Sequence, residues 1–337
     1  MQQCLFQAVK RAQLWVMLKF LACIFLFLYI FVTEVVAQQD IQFSQYVFNG
    51  LILNPAYAGY KEVTNLNLVY RSQWTGLQGA PQTISASIDG LLHGEKMGLG
   101  FAVTQDQLGA QSSMNADISY SYRLLLGNYA RLCFGIAGGM NQFNIDGSKL
   151  STLNSDRALA GLQSSTLGPD MKAGIFYTDE HYYGALSVTD LFAAYRSTDP
   201  SYLVIRRNRH YYLQTGALIS LNENIRLKPS IIFKEDFHGP TNIDLNTFLL
   251  FSDRLWLGMS YQSSMKIFQK ARLQHGLVST DAISALVEYY VNERLRIGYS
   301  FDYSTTNLRN VSSGSHEISI GYSFQPRRTN AVCPRFF

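Results

Sequence analysis

Between residues 64 and 324 apolar and polar positions alternate two residues at a time. Leu295, Ile297, Tyr299, Phe301 and Tyr303 are apolar, while Arg296, Gly298, Ser300 and Asp302 between them are small or charged. Ile283, Ala285, Val287, Tyr289 and Val291 repeat the pattern upstream. Ile318, Ile320, Tyr322 and Phe324 repeat it downstream, against Glu317, Ser319, Gly321 and Ser323. Side chains of a strand point alternately to opposite faces, so a period of two predicts strands with one apolar and one polar face. The joint Asn292-Glu293 leaves room only for an antiparallel hairpin. Such strands belong either to a soluble sandwich or to a membrane barrel with lipid outside and a polar lumen inside. Tyr and Phe at the ends of the apolar rows favour the barrel, because both settle well at a bilayer interface.

The same reading yields fourteen candidate strands: 64–72, 82–90, 97–105, 114–124, 129–140, 170–178, 182–190, 210–220, 225–235, 242–251, 254–263, 282–291, 294–304 and 315–324. Ile84, Ala86 and Ile88 stand against Thr83, Ser85, Ser87 and Asp89; Ile118, Tyr120, Tyr122 and Leu124 against Asp117, Ser119, Ser121 and Arg123; Leu255, Leu257, Met259 and Tyr261 against Gly258, Ser260 and Gln262. Segment 129–140 departs from the pattern, being Gly-rich and apolar on both faces. Connections after even-numbered strands are mostly tight: 125–128, 178–181, 221–224, 252–253 and 292–293. Those after odd-numbered strands are longer: 71–81, 141–169, 191–209 and 264–281. A sandwich has no reason to segregate loop lengths this way, whereas outer-membrane barrels carry short periplasmic turns and long external loops. No stretch after residue 37 approaches 18 apolar residues, which excludes a helical membrane protein. Lipid satisfies no backbone hydrogen bonds, so the sheet must close on itself. The expected fold is all-β, a transmembrane antiparallel up-and-down β-barrel of about 14 strands.

Residues 1–37 read as a secretory signal peptide, with Lys10, Arg11 and Lys19 before the apolar run Phe20 to Val32 and Val35-Val36-Ala37 before Gln38. An uncleaved membrane anchor is the alternative, given the long basic start. Residues 38–63 are neither a clean strand nor a clean helix and are expected on the periplasmic side or inside the barrel mouth. Residues 325–337 read as a periplasmic tail. Charged residues make up 15% of the chain, against ~25% in an ordinary soluble domain. The formal charge of +4 is too small to argue for nucleic acid. Past the leader, Cys133 and Cys333 remain, and nothing in the sequence pairs them.

Candidate chemistry is sparse. The six histidines (His93, His181, His210, His238, His275 and His316) are scattered, and none makes a metal-ligand spacing. A Ser/His/Asp hydrolase site of the barrel type would draw its parts from different strands, so spacing does not exclude it. Gly98-Leu99-Gly100 lacks the strand-loop-helix context of a nucleotide site and reads as an aid to strand packing. Arg206, Arg207, Arg209 and His210 form one dense basic cluster in a long loop, read as a solvated face rather than a lipopolysaccharide contact. His316 reads as an interfacial residue, and Trp74 as an interfacial anchor. Asp89, Asp117, Arg123, Glu288, Arg296 and Asp302 point to the lumen, where they line a pore or pair across it as a plug.

Six short stretches carry a family resemblance. Gln39-Asp40-Ile41-Gln42-Phe43-Ser44-Gln45-Tyr46, Leu53-Asn54-Pro55-Ala56-Tyr57-Ala58-Gly59 and Arg71-Ser72-Gln73-Trp74 resemble the opening signature of the PorP/SprF family. Ser315-His316-Glu317-Ile318, Gly321-Tyr322-Ser323-Phe324 and the tail Pro334-Arg335-Phe336 resemble its closing part, so the similarity spans 38–337. The family comprises outer-membrane barrels of the type IX secretion system of Bacteroidota, associated with protein export and gliding motility. The resemblance implies a cell outer-membrane location and partners among outer-membrane lipid, periplasmic and outer-membrane components of that system, and a secreted adhesin-like cargo. It implies no enzyme activity and no cofactor, metal or catalytic residue, and it assigns no binding residue. A passive channel for small solutes is the alternative function.

Overall fold

The computed structural model of the chain describes residues 42–92, 96–127, 129–149, 163–192, 208–265, 267 and 282–324. The expected leader, the tail with Cys333, Arg206, Arg207, His93 and His275 lie outside the described residues.

The alternating segments form strands β1 (Asn65–Ser72), β2 (Gln82–Leu91), β3 (Met97–Leu108), β4 (Gln111–Leu126) and β5 (Ala130–Asp146). They continue as β6 (Gln163–Thr178), β7 (Tyr182–Thr189), β8 (His210–Ala217), β9 (Ile219–Ser220) and β10 (Ile225–Glu235). The last are β11 (Thr241–Phe251), β12 (Leu255–Met265), β13 (Ala282–Tyr290), β14 (Leu295–Ser304) and β15 (Ser315–Ser323). β8 and β9 lie end to end along β10, interrupted at Leu218, whose side chain turns into the core. Counting them as one, the described residues make fourteen staves. Every stave pairs antiparallel with its sequence neighbours, and β15 pairs with β1 from Asn65↔Ser323 to Ser72↔His316, which closes the barrel.

The two faces are inverted relative to a soluble protein. Thr83, Ser85 and Ser87 on β2 are 1–2% exposed, while Ile84 between them is 56% exposed. Ser119 and Ser121 are buried beside exposed Ile118 and Tyr120. Apolar residues therefore face outward and polar ones inward, the arrangement a lipid-embedded barrel requires. Short turns lie at one end. The tightest, Phe251 to Arg254, holds Ser252 and Asp253 at positive φ with Arg254 N–H bonded to Phe251 O (2.9 Å), a turn that matches the twist of its strands. Longer connections lie at the other end, which the topology of outer-membrane barrels makes the external one.

The expected strand lengths need correction there. The gap 106–113 is a hairpin continued to Gly109-Ala110, with Gly109 at positive φ, so not every odd-numbered connection is long. The expected loop 141–169 is strand to Asp146 and again from Gln163. Alternation persists through it, with Phe143 and Ile145 buried, but the outward partners Gln142 and Asn144 are polar. Beyond the bilayer the outer row no longer has to be apolar, so a search for greasy rows stops too early.

Candidate functional site

Residues 42–63 occupy the lumen. Three 3-10 turns, Tyr46–Phe48, Gly50–Ile52 and Pro55–Tyr57, fold the segment compactly. The last is set locally: the Asn54 side chain accepts the N–H of Ala56 (2.9 Å), and Pro55 occupies the first helical position. The same Asn54 amide donates outward to the carbonyls of Ile175 (3.1 Å) and Leu186 (3.4 Å) in the barrel wall. Phe43, Tyr46, Phe48, Tyr57 and Tyr60 are 3–8% exposed and form one cluster with wall residues that include Phe176, Tyr183, Phe248 and Trp256. Tyr57 stacks on Phe176 with centroids 4.1 Å apart, and Phe48 meets Phe248 edge-on at 5.4 Å. Burying an aromatic contributes about 1.5–3 kcal/mol relative to leaving it wet, so five of them contribute on the order of 10 kcal/mol before ordering entropy is subtracted.

The wall has been cut back to receive the segment. A Cβ on Gly135 would land on the backbone of Pro55 and Ala56, one on Gly98 on the carbonyl of Ala58, and one on Gly174 on the Asn54 side chain. Inward-facing glycine thus permits backbone to approach backbone.

Two polar clamps fix the ends. Near the external end the Glu317 carboxylate accepts the N–H of Ser44 (2.8 Å) and of Gln45 (2.9 Å). The Ser44 hydroxyl donates to Asp302 (2.7 Å), and the Gln45 amide donates to the Glu317 carbonyl (3.0 Å). Arg71 bridges both carboxylates, 2.7 Å from Asp302 and 3.0 Å from Glu317. All three charged side chains are at most 5% exposed. Near the periplasmic end Asp89 accepts the N–H of Gly59 (2.9 Å), and Arg123 donates to the carbonyl of Gly59 (2.8 Å). Glu62 pairs with Arg123 (3.1 Å) and Arg131 (2.7 Å). Next to it the Lys61 ammonium donates to the Phe48 carbonyl (3.1 Å), and burial, with Arg296 close by, brings it down to about 7. Burial also pushes the Tyr57 phenol well above its usual range, which keeps it a neutral hydrogen-bonding group.

Contacts of the segment reach round the bore. Tyr46 meets Asn246 on β11, Asn49 meets Ser87 on β2, the Leu53 carbonyl meets Ser187 on β7, and the Ala58 carbonyl meets Ser121 on β4.

The inward charges expected from the alternation are all buried or half-buried in the lumen. Asp89, Arg123 and Asp302 bind the segment, Arg296 pairs with Glu288 (3.6 Å), and Asp117 pairs with Lys172 (2.9 Å). Arg71 and Glu317 are not among those six, and Gly98, expected only to aid strand packing, instead makes room for the backbone of Ala58. His316 lies on the outer face, its Nδ1 2.8 Å from the Tyr299 hydroxyl. His181 and His238 lie in turns, and His210 is 4.0 Å from Asp190 at the rim beside Arg209. The described residues gather no cluster able to hold a metal ion.

Solved outer-membrane proteins resemble the fold at low sequence identity. The monoaromatic hydrocarbon channel CymD superposes with a TM-score of 0.53 at 11% identity, covering 87% of this chain and 96% of its own. A Pseudomonas aeruginosa FadL homologue gives 0.46 at 9%, covering 83% and 94%. Acinetobacter baumannii Omp33 gives 0.45 at 9%, covering 78% and 100%. At such low identity these likenesses show the fold alone. No relative was found among curated protein sequences. A family described as type IX secretion system membrane protein PorP/SprF matches residues 35–322. With that match over most of its length and an outer-membrane barrel to go with it, the chain belongs to the PorP/SprF family of type IX secretion system membrane proteins.

Proposed function

We propose that this barrel acts in the type IX secretion and gliding machinery by binding other proteins, both periplasmic components of the machine and exported surface proteins, and not by catalysis or by passing solutes. The supporting observation is the occupied bore. A passive channel needs a continuous aqueous path, and here residues 42–62 bridge the lumen from wall to wall with buried aromatics and two charge clamps. CymD, of similar fold, is a hydrocarbon channel, and the solute-channel reading would transfer that role to this chain. The filled lumen weighs against the transfer. The faces left for work are the short periplasmic turns and the external loops and strand extensions of β4, β5 and β6. The test is affinity recovery of the tagged full chain from detergent-solubilised outer membrane. Co-purification of type IX components in near-stoichiometric amount is the expected result; recovery of the barrel alone, with lipid only, would refute the proposal.

A further inference from the structure

The Arg71-Ser72-Gln73-Trp74 motif does more than supply Arg71 to the lumen. Past Ser72 the chain forms the loop 73–81, which is fixed on all sides. Gln73 N–H bonds to Pro81 O (2.9 Å), Thr75 N–H to Gly314 O (2.8 Å), Ser313 N–H to Thr75 O (2.7 Å) and Gly109 N–H to Gly79 O (3.0 Å). Trp74 N–H is held by the Ser315 hydroxyl (3.1 Å). Trp74 itself has φ of 47°, a conformation side chains rarely adopt, and it is followed by Gly76 at 100° and Gly79 at 75°. Residues kept in sparsely populated backbone regions persist only where their surroundings over-determine them, and they concentrate at ligand clamps.

This rigid loop overhangs a cavity of about 260 Å³ lined by Ser72, Thr75, Gly76, Gly79, Gln82 and Gln107, with Leu77 as its one large apolar side chain. Three properties define what fits. First, no charged side chain lines it, so neither an anion nor a cation finds a counter-charge. Second, its amides are available, while the Ser72 and Thr75 hydroxyls meet each other at 3.5 Å. Among the described residues the side-chain amides of Gln82 and Gln107 and the N–H of Gly76 have no hydrogen-bond partner. Amides and hydroxyls that both donate and accept suit a ligand bearing several hydroxyls. Third, its position is at the membrane rim. Ser72 pairs with Gln82, and Gln82 with Gln107. Their neighbours Arg71 and Thr83 are buried inward, so these three face out. Two residues down the same strands are Tyr70 and Ile84, exposed by 44% and 56% on the lipid-facing row. The cavity therefore stands directly above the apolar band, at headgroup height on the external side. Its volume falls just below the ~300–1,000 Å³ of sites for drug-sized ligands, which limits the occupant to a single ring and its substituents.

We propose that this cavity binds one neutral sugar ring. A sugar of an outer-leaflet glycolipid and a glycan on an exported protein present the same chemistry. The full-length barrel in detergent is titrated with glucose, galactose, mannose and N-acetylglucosamine, and contact is read by saturation-transfer NMR. Two further arms use delipidated neutral polysaccharide from the outer membrane and glycopeptides from secreted protein. Saturation transfer to at least one neutral sugar is expected, reduced roughly tenfold or more in the double variant Gln82→Leu with Gln107→Leu, which removes the free amides. Both positions are exposed at the rim, so heat-modifiable electrophoretic mobility should remain that of the folded barrel. A signal in the polysaccharide arm identifies the glycolipid source, and one in the glycopeptide arm identifies the exported protein. No transfer to any neutral probe up to millimolar concentration, transfer unchanged in the double variant, or equal transfer to spermidine would overturn the proposal.

Discussion

Arg71 shows how much one side chain carries. It stands on the polar row of β1 and faces two carboxylates, Asp302 on β14 and Glu317 on β15, that have left water with it. Removing one partner of a buried ionic group strands the other, a loss of about 3–5 kcal/mol. Arg71→Ala is therefore expected to lower barrel stability by that order, read as the shift of the denaturant midpoint in refolding detergent. It should also make the 42–60 segment cleavable by added protease while the wall stays protected. Arg71→Lys should recover only part of the loss, because a point charge does not span two carboxylates as a guanidinium fork does. Part of this was legible in the sequence. The two-residue period placed Asp89, Arg123 and Asp302 in the lumen, and the same rule applies to Arg71 and Glu317. Their partnership was not legible, since it joins positions 246 residues apart through the closure of β15 onto β1.

At the scale of the element, β5 explains why one stretch resisted the alternation. Its outward row is Phe134, Ile136 and Met140, as lipid demands, but its inward row is Cys133, Gly135, Ala137 and Gly139 rather than polar. Small inward residues make both faces look apolar in the sequence; at Gly135 the reason is the turn Pro55–Tyr57 packed against it, and at Gly139 the close approach of Asp117 on β4. A receptor groove is written in glycine and alanine, which carry no pattern of their own until the segment that fills it is known. Gly135→Val is expected to push that turn out of its seat. Overpacking of this kind costs about 1–3 kcal/mol, borne by the segment and not by the fourteen-stave ladder. Limited proteolysis should find new cuts within 42–63 in the variant, while heat-modifiable mobility of the barrel is unchanged. Equal protection of variant and wild type would mean that the segment does not seat on β5. The extensions of β4, β5 and β6 were under-read for a different reason: above the membrane the outward row turns polar, and the signal that marks a spanning strand ends before the strand does.

The described residues form a cylinder whose bore is occupied by residues 42–62, and its size makes that occupancy consequential. Barrels of about eight staves fill their bores with wall side chains, and those of roughly sixteen to eighteen leave an aqueous channel. Fourteen falls between, wide enough to conduct unless something fills it. The wall lies ready for water: Ser119, Ser260 and Ser300 are at most 2% exposed, and their hydroxyls find no protein partner among the described residues. Among the described residues it is 42–62 that bridge the bore between the inward side chains of the wall. In planar bilayers the intact protein is expected to give no stable conductance steps, and a variant deleted for residues 43–60 is expected to give long-lived ones. The deletion removes the segment's five aromatics and the Ser44–Gln45 half of the external clamp, but no strand and no pair of the ladder. Arg71, Asp302 and Glu317 would still balance one another in the wet bore, so the staves should close without the segment. If intact and deleted proteins conducted equally, the segment would not seal the lumen, and nothing in the bore would favour protein binding over the passage of solutes.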